Sequence, residues 1–122
     1  MLWGGVSASA FTTNDAVTIV NAYNNAFLVN GYYPGWWTGA EEIEMAEDCY
    51  DNSPTTARQT IVSNACNQFI SHHGSLWTLN DGNFNSFNDD ISWAVIAFAR
   101  SYQITGNTTF RNVAKSNWDA MY

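Results

Sequence analysis

The chain has 122 residues, of which 46% are apolar, 16% aromatic and only 12% charged, and eleven acids against four bases give a formal net charge of −7. This hydrophobicity excludes a long disordered tail, four cationic side chains neutralise too few phosphates for duplex nucleic-acid binding, and no apolar run approaches the roughly 18 residues of a membrane span. The length fits one domain, and fifteen asparagines beside six Trp, six Tyr and seven Phe suit a protein that touches sugars, as they suit secreted proteins in general.

The first ten residues carry no basic segment and too short an apolar stretch to read as a signal peptide. Thr13-Asn14-Asp15 reads as a helix start, with an Asn or Thr cap and an acid in the first turn. Behind it Ala16, Val20, Tyr23 and Phe27 share one helical face. Asn30-Gly31 stops that helix, and Tyr32 to Trp37 form a loop whose turn signal is Pro34-Gly35. Thr38 caps a second predicted helix, and Glu41 stands three residues on, the spacing of a capping box. Ile43, Ala46 and Tyr50 give its stripe, and Asp51-Asn52-Ser53-Pro54 breaks it. A third helix runs from about Thr55 to Gly74, with Val62, Ala65, Phe69 and His73 on one side. His72 and His73 at its end read as favourable charge or hydrogen bonding at a helix C-terminus. A longer loop spans Leu76 to Phe87. The fourth helix opens at Asn88-Asp89-Asp90 and ends at Gly106. The fifth begins near Thr108 or Thr109 and carries Phe110, Val113, Ala114, Asn117, Trp118 and Met121.

Short connections and the lack of strand alternation predict an all-α fold of antiparallel helix hairpins. In the fourth helix Ile91, Trp93, Ala94, Val95, Ile96, Ala97, Phe98, Ala99 and Tyr102 leave almost no polar side, the pattern of a helix buried all round. Five helices are too few to enclose it. The pattern therefore predicts a part of a larger helical assembly, or an oligomer, with marginal stability alone and unpartnered apolar faces. The second helix poses the opposite problem. Its acids Glu41, Glu42, Glu44, Glu47 and Asp48 are costly to bury unless paired or facing a wet groove. Cys49 and Cys66 read as two buried free thiols, with a single bridge between neighbouring helices as the alternative. Asn107-Thr108-Thr109 is the one glycosylation sequon, relevant in a secretory compartment.

Asp89 and Asp90 carry the candidate chemistry. Adjacent residues in a helical first turn place their Cβ atoms roughly 5–6 Å apart. That matches the separation of about 5–5.5 Å between the carboxyl groups of a retaining glycosidase, in which one acts as nucleophile and the other gives and then takes a proton. A helix N-terminus favours an ionised carboxylate, and repulsion between two close acids favours one of them holding a proton. The same three residues also read as an ordinary N-cap with first-turn acids. A magnesium site would need a third ligand, and none is evident.

The text Asn88-Asp89-Asp90-Ile91-Ser92-Trp93 resembles the Asn-Asp-Asp-x-x-Trp motif of glycoside hydrolase family 76, the endo-α-1,6-mannanases. Ala99-Arg100-Ser101-Tyr102-Gln103-Ile104-Thr105-Gly106-Asn107 is similar to the segment that follows it in fungal members. Trp36 to Asp48 is similar to the Trp-x-x-Ala-Glu-x-Ile-Glu-x-x-Glu-Asp segment upstream. The resemblance covers nearly the whole chain, in order. Cys49 departs from it, standing where a small residue is expected. The resemblance implies a partial (α/α)6 six-hairpin barrel with about five helices present, residues 1–122 being the N-terminal fragment of one domain. It implies Asp89 as nucleophile, Asp90 as general acid/base, no metal or other cofactor, and hydrolysis or transglycosylation of α-1,6-linked mannan in fungal cell wall or mannoprotein. An extracellular or cell-wall location follows from the same likeness. Alternatives left open are another six-hairpin glycosidase and a non-catalytic sugar-binding or interaction fragment.

In such a barrel successive helices reverse direction, so the second and fourth start at the same end. Trp36, Trp37 and Glu41 would then border the same mouth as Asn88, Asp89 and Asp90, where aromatic faces pack on sugar C–H surfaces and carboxylates accept from hydroxyls. Trp36 and Trp37 read equally as loop anchors against the rim, and Glu41 as a capping-box residue. Trp93, three residues after Asp90, either supports the pair or packs in the core.

Overall fold

The computed structural model describes residues 11–77 and 87–121. Five helices account for most of them: α1 (Thr13–Phe27), α2 (Trp37–Asn52), α3 (Thr56–His73), α4 (Asn88–Thr105) and α5 (Thr108–Met121). Among the described residues there is no strand, only an isolated bridge between Val29 and Tyr32, and the described chain is all-helical. No described helix is long and apolar enough to cross a membrane. Most of the predicted loop from Leu76 to Phe87 lies outside the described residues.

Side-chain pairs fix the direction of each helix. Gln59 at the start of α3 donates to the carbonyl of Ile104 at the end of α4 (2.8 Å), and Phe69 near the end of α3 meets Phe98 further up α4. So α3 and α4 are antiparallel. Trp36, just before α2, stacks on Phe69 at 4.8 Å, which makes α2 and α3 antiparallel as well. It follows that α2 and α4 run the same way and begin at the same end. α5 returns along α4, with Phe110 against Phe98 at 5.7 Å and Met121 beside Ser92.

Local chemistry explains where the helices begin. Thr12 caps α1 by accepting from the Asp15 N–H while the Asp15 carboxylate accepts from the Thr12 N–H, a complete capping box set one residue ahead of the expected Thr13 or Asn14. None of α1 is buried. Phe27, expected on its inner face, is largely exposed; among the described helices α1 packs mainly on α2. The capping box expected at Thr38 and Glu41 does not form. The N-cap residue of α2 is Trp36, which makes no side-chain cap bond, and Thr38 lies inside the first turn. The cause is Gly35, at φ 115°. It turns the chain into the helix early, and the Thr38 hydroxyl lies against its bare face, where a Cβ would stand 2.1 Å away. Thr55 caps α3 by accepting from the Arg58 N–H, and Gly74 and Gly106 end α3 and α4 at positive φ.

The core is an aromatic stack set among small side chains. Phe98 touches Phe69, Trp77 and Phe110 edge-on at 5.3–5.7 Å, a favoured ring geometry. Ala40, Ile43, Ala65, Cys66 and Ala94 fill the space between the rings. Trp77 is held by Asn117, a wholly buried side chain whose Oδ1 accepts from the Trp77 N–H (2.5 Å) and whose Nδ2 donates to the carbonyls of Ser75 and Val113. Cys49 and Cys66 are both buried free thiols.

One expectation needs correction. α4 is not buried all round: Trp93 is 40% and Ile96 44% exposed, and Ala99 faces solvent too. Among the described helices α2, α3 and α5 pack on this one, and Trp93, Ile96 and Ala99 lie on the side away from them. The five acids of α2 differ in burial. Glu41 and Asp48 are exposed, Glu42 and Glu44 are half-buried, and Glu47 alone is fully enclosed. Arg100 of α4 pairs with Glu44 (3.4 Å), Asp48 (2.6 Å) and Asp51 (3.2 Å), and its Nε stands 3.6 Å from Glu47, so the side of α2 toward α4 is paired while Glu41 and Asp48 reach solvent.

Candidate active site

α4 starts without the cap that its sequence offers. Its N-cap residue is Phe87, with no side-chain cap hydrogen bond, and Asn88, Asp89 and Asp90 form the first helical turn. The asparagine that reads as a cap is therefore one position too far along the chain to act as one. The two acids differ in surroundings. Asp89 is exposed, whereas Asp90 is 9% exposed and its Oδ2 has no hydrogen-bond partner among the described residues. Free N–H groups of the first turn and the helix dipole favour negative charge there. Asn88 is exposed, and its carbonyl accepts from the Ser92 hydroxyl at 2.7 Å. Trp93, for which a core position was the alternative, stands one turn beyond Asp89 with its indole partly in solvent.

The parallel course of α2 and α4 brings Trp36, Trp37 and Glu41 to the same end of the bundle as Asn88, Asp89 and Asp90. Their individual placements differ. Trp37 is 41% exposed and Glu41 is exposed, so both present faces to solvent. Trp36 is half-buried between Phe69 and the edge of Trp77 (5.1 Å) and within 5.1 Å of the His73 ring. It anchors the loop before α2, as one of its two sequence readings holds.

A histidine–tyrosine cluster completes this end and was not legible as a unit in the sequence. His73 Nε2 lies 2.9 Å from the Tyr32 hydroxyl and 3.2 Å from the Gly35 carbonyl, and Tyr32 stacks on His72 at 4.0 Å. Burial pushes the pKa of His73 below its ordinary value. The cluster ties the turn carrying Trp36 and Trp37 to the last turn of α3. The signal available was the His-His-Gly stop, which reveals a helix end but not its partner across 38 residues.

A second group, at the α2–α4 seam, was likewise hidden. Ser101 donates to Glu47 (2.6 Å) and lies 2.9 Å from the Cys66 thiol, all three side chains being buried. Burial raises the pKa of Glu47 to about 8 and pushes the Cys66 thiol up. Among the described residues no three His, Cys, Asp or Glu side chains come close enough to hold a metal ion. The sequon Asn107 is occupied structurally, its Oδ1 accepting from the Thr109 N–H at the start of α5. Comparison of the chain with protein-family models, curated proteins and solved structures finds no match.

Proposed function

We propose that the chain belongs to a retaining glycoside hydrolase, or transglycosidase, of the family 76 kind, acting on α-1,6-linked mannan. In this reading Asp89 is the nucleophile and Asp90 the general acid/base. The observation that carries it is the asymmetry of the pair: adjacent carboxyls in the first turn of α4, one in solvent and one withdrawn, with the N-cap position taken by Phe87 instead. Two like groups in unlike surroundings are what two unlike roles require. Asp90 protonates the glycosidic oxygen as the Asp89 carboxylate attacks the anomeric carbon and forms a glycosyl ester. Asp90 then takes a proton from water, or from an acceptor hydroxyl, which cleaves that ester with net retention.

The rest of the reading follows the same likeness. Trp37 and Trp93 offer exposed aromatic faces for sugar rings, Glu41 and Asn88 offer polar partners, and Trp36 backs Trp37. The five alternating helices stand as the first helices of an (α/α)6 barrel, of which residues 1–122 are the N-terminal part, in a protein of the cell wall or extracellular space. No cofactor is assigned. A non-catalytic sugar-binding protein is the second reading, favoured by the exposure of Trp37 and Trp93. Titration with α-1,6-mannan oligosaccharides separates the two. A binder keeps its affinity and shows no turnover with Asp89→Asn or Asp90→Asn, whereas the hydrolase loses a turnover that the parent protein has.

A further inference from the structure

We propose that Asn107, in the turn between α4 and α5, carries an N-linked glycan on its side-chain nitrogen. The proposal rests on the extracellular part of the reading above and not on its chemistry. Of the fifteen asparagines, only Asn107 is followed two places on by a hydroxyl residue, with Thr108 rather than proline between. That is the pattern on which the secretory pathway builds N-linked glycans. Thr108 and Thr109 are both exposed, and Asn107 is half-buried.

All but one of the polar groups of Asn107 are committed. Its N–H donates to Thr105 Oγ1 (3.2 Å), its carbonyl accepts from the Phe110 N–H (3.1 Å), and its Oδ1 accepts from the Thr109 N–H (3.0 Å). Among the described residues Nδ2 has no hydrogen-bond partner, and it is not enclosed. The sugar is joined through Nδ2, so Oδ1 keeps its bond and the start of α5 keeps its cap after the transfer. In that step C1 of the first N-acetylglucosamine leaves the diphosphate of a lipid-linked oligosaccharide and bonds to Nδ2. Nδ2 gives up one proton, and the lipid diphosphate departs.

The fold leaves room for the group. Asn107 lines an open hollow of about 240 Å³ between α3 and the end of α4, together with Gln59, Thr60, Ser63, Asn64 and Thr105. Every side chain of that set is an amide or a hydroxyl, a lining that can both donate to and accept from sugar hydroxyls. The position also keeps the glycan away from the candidate active site. Asn107 follows the last turn of α4, whereas Asp89 and Asp90 stand in its first. The 18 residues of α4 hold the two ends about 27 Å apart. A bulky, solubilising surface group is therefore carried at the end of the bundle opposite to the two acids.

The test is the mass of the full chain secreted from yeast behind a cleavable leader. The parent chain is expected to exceed its polypeptide mass. Peptide N-glycosidase in heavy-oxygen water should remove the excess and leave labelled aspartate at position 107 and at no other asparagine. Thr109→Ala deletes the hydroxyl of the sequon but keeps the backbone N–H that Asn107 Oδ1 caps, so it should lose the glycan with its helical circular dichroism intact. Thr109→Ser should retain the glycan. For any chain that is not secreted, translation into microsomes reads the same modification as a gel shift. A parent chain that carries no glycan overturns the proposal, as does a glycan that persists in Thr109→Ala. The glycosidase reading fails separately: a glycosylated chain that leaves α-1,6-mannan intact counts against that reading alone, and an active chain without glycan against this proposal alone.

Discussion

Ser101 on α4 donates its hydroxyl proton to Oε1 of Glu47 on α2 at 2.6 Å, in a place where neither side chain reaches solvent. Because that proton is committed, the 2.9 Å contact with Cys66 runs the other way, the thiol donating to Ser101 Oγ. Burial, which keeps the thiol protonated, fits this direction. The three groups form a short polar chain joining α2, α3 and α4. Glu47 Oε2 has no hydrogen bond among the described residues, and the nearest cation, Arg100 Nε, is 3.6 Å away.

Stability should fall as pH rises. The unfolded Glu47 ionises near 4.5, whereas burial holds the folded carboxyl protonated up to about 8. Between those values the native state binds the extra proton, so raising the pH favours unfolding, by an amount on the order of a few kcal/mol across the window. Urea unfolding at pH 5 and pH 8 should show the parent chain losing stability. Glu47→Gln, which keeps an acceptor for Ser101, should lose markedly less. An equal loss in both would refute this role.

Ser101→Ala is expected to cost about 1–3 kcal/mol, since it leaves the Glu47 and Cys66 groups without their partner. It should also move the upper end of the pH dependence higher, because the lost hydrogen bond is one that lowers the Glu47 pKa. Unfolding measured against pH reads both effects together.

Asn117→Ala removes the acceptor of the Trp77 N–H and the donor to the Ser75 and Val113 carbonyls. A loss of about 2–4 kcal/mol is expected for buried groups left unpaired. Thermal melts measure the loss. Asn117→Asp, which keeps only the acceptor, should not restore the parent stability.

Gly35→Ala meets two obstacles, the left-handed φ and a Cβ 2.1 Å from Thr38 Oγ1. The backbone strain alone is about 1–3 kcal/mol. The cost should fall on the start of α2. Hydrogen exchange at the Ala40 amide, which donates to the Trp36 carbonyl at 3.0 Å, should accelerate more than exchange within α5.

The sequence was most informative where one residue sets a local outcome. Gly74 and Gly106 end α3 and α4 where expected, and the stripes Val62–Ala65–Phe69 and Phe110–Val113–Ala114 are buried. It was less informative where a cap depends on the backbone entering the helix. Gly35 moves the start of α2 ahead of Thr38, and α4 begins so that Asn88 lies inside it. Hydrophobic pattern alone made α4 a fully buried helix, because periodicity counts apolar residues and not neighbours. The adjacent acids Asp89 and Asp90 were visible as a pair, but their unequal exposure was not. The Arg100 cluster was invisible for another reason: its partners lie about fifty residues away in the chain.

The central claim is that Asp89 and Asp90 divide the work of a retaining glycosidase. The most direct measurement follows cleavage of an α-1,6-mannan oligosaccharide by NMR, reading rate and product anomer together, for the parent protein and the Asp89→Asn and Asp90→Asn variants. The account predicts initial release of the α-anomer, a fall of about 10²–10⁴-fold in Asp90→Asn as acid/base help is lost, and at least as large a fall in Asp89→Asn. Full activity in either variant, or release of the inverted anomer, would contradict it.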